Sequence, residues 1–157
     1  MDAVRKIPEG FHSVTPALIV KNASEAIEFY KKGFGAVERR RMNSPDGRVA
    51  HAELMLGNSL FMLSDEYPEM KCNSPKSIGG SSVSMYVYVE DVDTVFDTAV
   101  SAGAKALDPV KDQFWGDRHG RLEGPFGHLW SIATHTKDLS EDEMKSAAEA
   151  AFSQMTK

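Results

Sequence analysis

The chain has 157 residues, a net charge of −5, 41% hydrophobic and 26% charged side chains, which suits one globular domain or two half-domains sharing a core. Arg39-Arg40-Arg41 is the one basic cluster, so the footprint of a nucleic-acid binder is missing, and no apolar run approaches the ~20 residues that cross a bilayer. The single cysteine, Cys72, excludes an intramolecular disulfide; with no evident signal peptide, a reducing, cytoplasmic setting is expected.

Residues 13–20 read as a short strand, pushed toward an edge by Pro16. Asn22 or Ser24 caps a helix whose apolar positions Ala23, Ala26, Ile27 and Tyr30 recur at helical spacing up to Lys32, with Gly33 and Gly35 as its stop. A strand over 37–42 and a turn at 43–47 follow. Residues 48–56 alternate, with Ala50, Ala52, Leu54 and Leu56 on the helix-facing side and Val49, His51, Glu53 and Met55 opposite. A turn at Gly57-Asn58 leads into a strand over 59–64, completing β-α-β-β-β. Residues 65–82, rich in Pro, Ser and Gly, read as a linker. The second half repeats the order: strand 83–89, helix 91–102, then strands 104–108, 118–123 and 128–134. Ser140 and Glu143 have capping-box spacing. They open a terminal helix over 141–155, with Met144, Ala147, Ala148, Ala151 and Met155 on one stripe, expected to pack on its own domain or a second copy.

The two halves are a weak internal repeat. Val20, Asn22, Ala26 and Ile27 align with Val89, Asp91, Val95 and Phe96 at an offset of 69, which also sets Leu60–Leu63 on Leu129–Ile132. Two copies are too few for a solenoid, so one module has been duplicated into a two-fold structure. Small-molecule sites favour the concave junctions of such structures.

Several segments carry a resemblance: Ala26–Tyr30, Phe34–Glu38, His51–Leu54, Phe114–Arg118, Gly124–His128 and Trp130–His135. On these the chain resembles the vicinal oxygen chelate superfamily of glyoxalases, bleomycin-resistance proteins and dioxygenases, and within it the PhnB-like branch. The resemblance covers roughly residues 13–136. It implies an α+β fold of two βαβββ modules (13–64 and 83–135) forming paired curved sheets with helices outside. Residues 1–136 are then the family domain and 137–157 a helical tail. It also implies a homodimer, with modules pairing within or between chains. In the family's metal enzymes, His, Glu or Gln from the first and last strand of each module bind a divalent ion. Those positions fall here on Thr15, Met62, Ser84 and Ser131. A neutral hydroxyl is a poor ligand for such an ion and a thioether suits only soft metals, so no metal or other cofactor is expected.

What remains is a polar pocket for a small-molecule ligand, with no nucleic-acid or membrane partner. Thr15, His51, Met62, Ser84, Tyr86, Trp115, Arg121 and Ser131 are its expected lining. Glu53 is the candidate catalytic group, two residues from His51 and so on the same strand face. Arg118 and Arg121 suit an anion, or else pair with Asp117 and Glu123. His12, His119, His128 and His135 are expected at the surface. Three functions compete: ligand sequestration as in bleomycin-resistance proteins; a glyoxalase- or dioxygenase-like enzyme with a divalent metal on His51 and Glu53; and a degenerate module with a regulatory or interaction role.

Overall fold

A computed structural model describes residues 4–155. The first module comprises β1 (Ala17–Val20), α1 (Ala23–Phe34), β2 (Val37–Asn43), β3 (Val49–Leu56) and β4 (Ser59–Asp65). The second comprises β5 (Ser84–Tyr88), α3 (Val92–Ser101), β6 (Lys105–Asp112), β7 (Asp117–Glu123) and β8 (Leu129–His135). Between them the linker holds a 3-10 turn (Pro68–Met70) and the short helix α2 (Pro75–Ile78), and α4 (Glu141–Met155) ends the chain. Each module is a four-stranded sheet, in the orders β1-β4-β3-β2 and β5-β8-β7-β6. The β1/β4 and β5/β8 pairs are parallel and the others antiparallel. The duplicated α+β architecture expected from the repeat is therefore present.

The same local chemistry starts both main helices. Asn22 caps α1 and Asp91 caps α3, each accepting a backbone N–H with its side chain, which satisfies donors a helix start leaves free. The last strand of each module fastens the helix that follows its first strand. Asp65 accepts from the Ala23 N–H at 2.7 Å, and Thr134, 69 positions later, accepts from the Val92 N–H at 2.9 Å.

Four elements differ from the sequence reading. β1 begins only at Ala17, because the Pro16 ring fixes its own φ and the chain before it runs as a loop. Gly33 does not stop α1, which runs on to Phe34, with Gly35 in the left-handed region (φ 69°) as its cap. Gly33 instead lets α3 approach: a Cβ there would lie 3.3 Å from both the Ala102 Cβ and the Ala99 Cα. The alternation of β3 breaks at Ala50, which has no partner because Met42 pairs with His51 and Asn43 with Val49. This bulge turns Val49 into the core and leaves Ala50 exposed. β6 runs on to Asp112, past Pro109, on an edge with two register shifts.

Helix-facing residues of both sheets, with α1 and α3, form one continuous core. Trp130 of β8 sits at its centre, 1% exposed. Its ring centroid is 5.3 Å from that of Tyr30, 4.8 Å from Phe34 and 6.1 Å from Phe61. The modules are thus joined through one aromatic cluster, and the opposite face of each sheet is turned away from that core. The α4 stripe is half-buried at Met144, Ala147, Ala148 and Ala151 but exposed at Met155. Its capping box is formed, and Phe152 meets Phe114 edge-on at 5.8 Å.

Candidate functional site

Strand register brings matched rows of side chains across the open face of each sheet, since directly paired residues share a face. On the first sheet one row is Ala17, Met62, Glu53 and Arg40. The matching row on the second is Tyr86, Ser131, Arg121 and Asp108. The next rows hold His51 opposite Met42, and His119 opposite Lys111. So His51 and His119 are repeat equivalents, and the central carboxylate of one face is an arginine on the other.

Residues 6–15 run over the first face as a strap. A cavity of about 690 Å³ lies between the two, lined by Thr15, Glu53, Met62, Arg39, Arg40 and the strap. Glu53 is 7% exposed, and its Oε1 lies 3.3 Å from Nε2 of His51. Thr15 donates its hydroxyl hydrogen bond to the His12 carbonyl. A second cleft, of about 1030 Å³, opens at the junction of the modules. His12, Val14, Phe61, Tyr86, Tyr88 and Trp130 are among its walls. The sequence-predicted lining therefore divides: Thr15, Glu53 and Met62 share the first cavity beside His51, Tyr86 borders the cleft, and Ser84, Trp115, Arg121 and Ser131 border neither.

The second face is organised by Asp117, which the sequence reading offered only as an ion-pair partner of an arginine. Asp117 is 2% exposed. Its Oδ2 accepts from the Tyr86 hydroxyl at 2.9 Å, the Tyr88 hydroxyl at 3.0 Å and Trp115 Nε1 at 3.0 Å, and its Oδ1 lies 2.8 Å from His135 Nδ1. Burial pushes the Asp117 carboxyl up, but the donors from His135, Tyr86, Tyr88 and Trp115 outweigh it and hold the group below its usual range. Burial, with this carboxylate alongside, pushes the Tyr86 hydroxyl up to about 12. The Tyr86 ring in turn lies parallel to His119, centroids 5.3 Å apart and planes 9° apart.

Two expectations about charged residues are corrected, and that for His135 holds. His119 and His128 are buried, at 7% and 8% exposed: the rings of Tyr86 and Trp115 cover His119, and His128 follows Gly127, which packs closely on Pro75 of α2. Burial holds both imidazoles below the usual histidine range. His135 is at the surface but not idle: it bridges Asp117 and Asp138, whose hydrogen bonds raise its pKa. Arg118 pairs with Asp93 and Asp112, and Arg121 with Asp108. Neither meets Asp117 or Glu123: Arg118 points to the opposite face of β7 from both, and Arg121, which shares their face, closes on its cross-strand partner Asp108 instead. The signal for His119 lay in the sequence, at an offset of 68 from His51; the offset of 69 that fits the last strands conceals it.

The metal-ligand positions of the resemblance do not fit a divalent ion here. Thr15, Met62, Ser84 and Ser131 supply no carboxylate, imidazole or thiolate. Among the described residues no three His, Cys, Asp or Glu side chains gather as a metal site, so His51 and Glu53 lack a third such ligand.

Duplicated βαβββ modules, each a four-stranded sheet with one open face, define the fold class. The chain belongs to the glyoxalase/bleomycin resistance protein/dioxygenase superfamily, whose family model matches residues 10–132. It is 41% identical over 138 residues to an uncharacterized protein of Mycobacterium bovis, covering 86% of this chain and 91% of that one. A solved Arabidopsis thaliana gene product is similar at 28% identity with a TM-score of 0.63, covering 78% of this chain and 98% of that one. The PhnB protein of Bacillus cereus shares the fold at 23% identity and a TM-score of 0.61, covering 78% of this chain and 99% of that one.

Proposed function

We propose that this protein binds a small molecule in the cavity over the first sheet, as a PhnB-like member of the superfamily working without the family's usual metal centre. The observation that carries the reading is Glu53, a carboxylate 7% exposed at the wall of a 690 Å³ cavity. A buried carboxylate is costly unless it is partnered, and here His51 supplies one partner and leaves room for a ligand donor. The protein acts in the cytoplasm as a homodimer, and the exposed rings of Tyr86 and Tyr88 on the free edge strand β5 suit a contact between copies.

A second reading is favoured by the 3.3 Å contact between His51 and Glu53. This pair has the geometry of a general base with its orienting partner, so Glu53 could take a proton from the bound molecule. A fragment screen by thermal shift, beside elemental analysis of untagged protein, tests both readings. Hits lost in Met62→Trp, which fills the cavity, are the expected result. A divalent ion near one per subunit, lost in His51→Ala, would overturn the metal-free reading; hits that survive Met62→Trp would overturn the choice of cavity.

A further inference from the structure

Arg39 and Arg40 are consecutive, and in a regular strand they would point to opposite faces. Here Glu38 pairs with Leu54 and Arg40 with Glu53, so Arg39 is an extra, unpaired residue in β2. This bulge re-aims one side chain, and both arginines border the cavity over the first sheet. Gly10, in the left-handed region (φ 82°), lets the strap lie against Arg39, because a Cβ there would be 2.6 Å from its Nη1.

Among the described residues neither arginine is paired with a carboxylate. Arg41, Arg48, Arg118 and Arg121 each meet a carboxylate within 3.2 Å. Among the described residues Arg39 and Arg40 form no salt bridge, although Glu53 is the direct strand partner of Arg40. The repeat sharpens the contrast. At the matching place on the second sheet, with the charges exchanged, Arg121 and Asp108 do close, at 2.5 Å. The cavity carries Lys6, Arg39 and Arg40 against Glu9 and Glu53, an excess of positive charge in a chain whose net charge is −5.

We infer that the cavity takes a short, two-ended molecule: an oxyanion, carboxylate or phosphonate-like, held by Arg39 and Arg40, and a hydroxyl or ammonium donating to Glu53. The inference rests on the reading of this cavity as the ligand site. Guanidinium forks match the planar or tetrahedral oxygens of such anions. The cation and carboxylate arise from Cα partners on neighbouring strands, roughly 5 Å apart, so a ligand of a few heavy atoms reaches both.

Three probes that share a hydroxyl donor and differ at the other end test this: glycolate, hydroxymethylphosphonate and the neutral glycolamide, titrated by saturation-transfer NMR in 150 mM salt. Acetate and methylphosphonate, which lack the donor, complete the set. One or both hydroxylated anions should bind more tightly than glycolamide, and which does so separates a carboxylate site from a phosphonate-like one. Arg39→Gln and Arg40→Gln, both at exposed positions, should each weaken that binding by about tenfold and leave glycolamide unaffected. Glu53→Gln should reduce the advantage of the hydroxylated anions over acetate and methylphosphonate. Equal binding of glycolamide, or anion binding indifferent to both arginine variants, overturns the inference. So does binding by none of the probes. Fragment hits that still depend on an open Met62 cavity would then keep the ligand-site reading alive, and their absence would remove it too.

Discussion

Asp117→Asn is the sharpest test of how the second face is held. The change is nearly isosteric, so it removes charge and acceptor capacity without opening a cavity. Three donors, from Tyr86, Tyr88 and Trp115, converge on Oδ2 at 2.9–3.0 Å. A hydrogen bond to a charged acceptor is about twice as strong as a neutral one, and each such bond contributes roughly 1.5–3 kcal/mol. Losing about half of each gives roughly 3 kcal/mol, and relief from burying a charge returns part of it. A net destabilisation of about 2 kcal/mol is expected, or a fall in Tm of roughly 4–8 °C for a chain of this size. Urea denaturation followed by tryptophan fluorescence reports it, since Trp115 is itself one of the donors. A variant within 0.5 kcal/mol of the parent would show that the four-donor arrangement contributes nothing to folding. That outcome would also undermine the claim that Asp117 fixes the ring stacked on His119.

The remaining predictions concern the core and the tail. Trp130→Ala removes the side chain that joins the modules, 1% exposed among Tyr30, Phe34 and Phe61. It should cost about 3–5 kcal/mol in the same denaturation assay. Gly120→Ala would set a Cβ 2.8 Å from the Phe96 ring and 2.9 Å from a Val110 methyl; overpacking of about 1–3 kcal/mol is expected by thermal unfolding. The hydrogen bonds from His135 to Asp117 and Asp138 raise its pKa above the ordinary value of about 6.5. The stabilisation from that imidazolium is therefore complete below about pH 6.5 and is lost as the pH rises through the raised folded value. Histidine NMR titration should show the raised pKa in the parent and a lower one in Asp138→Asn, and an unshifted His135 would refute the bridge.

The repeat, the element order and the terminal helix were legible in the sequence because each rests on local chemistry. Asn22, Asp91 and Ser140 cap helices through residues three positions away, and periodicity marks the buried stripe wherever strands stay regular. Where the strands are irregular, legibility failed. A bulge at Ala50 turned Val49 inward, and another at Arg39 brought two consecutive arginines to one cavity; both depend on which residue of a neighbouring strand is paired, which single-strand alternation does not encode. Glu53 and His51 could be placed on one face from spacing alone, and the structure sets them beside Thr15 and Met62. Asp117 could not be singled out. Its four donors come from residues 86, 88, 115 and 135, spread over two strands and a loop. Sequence alone settled the order of the main strands and helices, because hydrogen-bonding and burial preferences act over a few residues. Only the tertiary structure decided which polar groups meet, because a buried carboxylate or a free guanidinium is defined by neighbours far away in the chain.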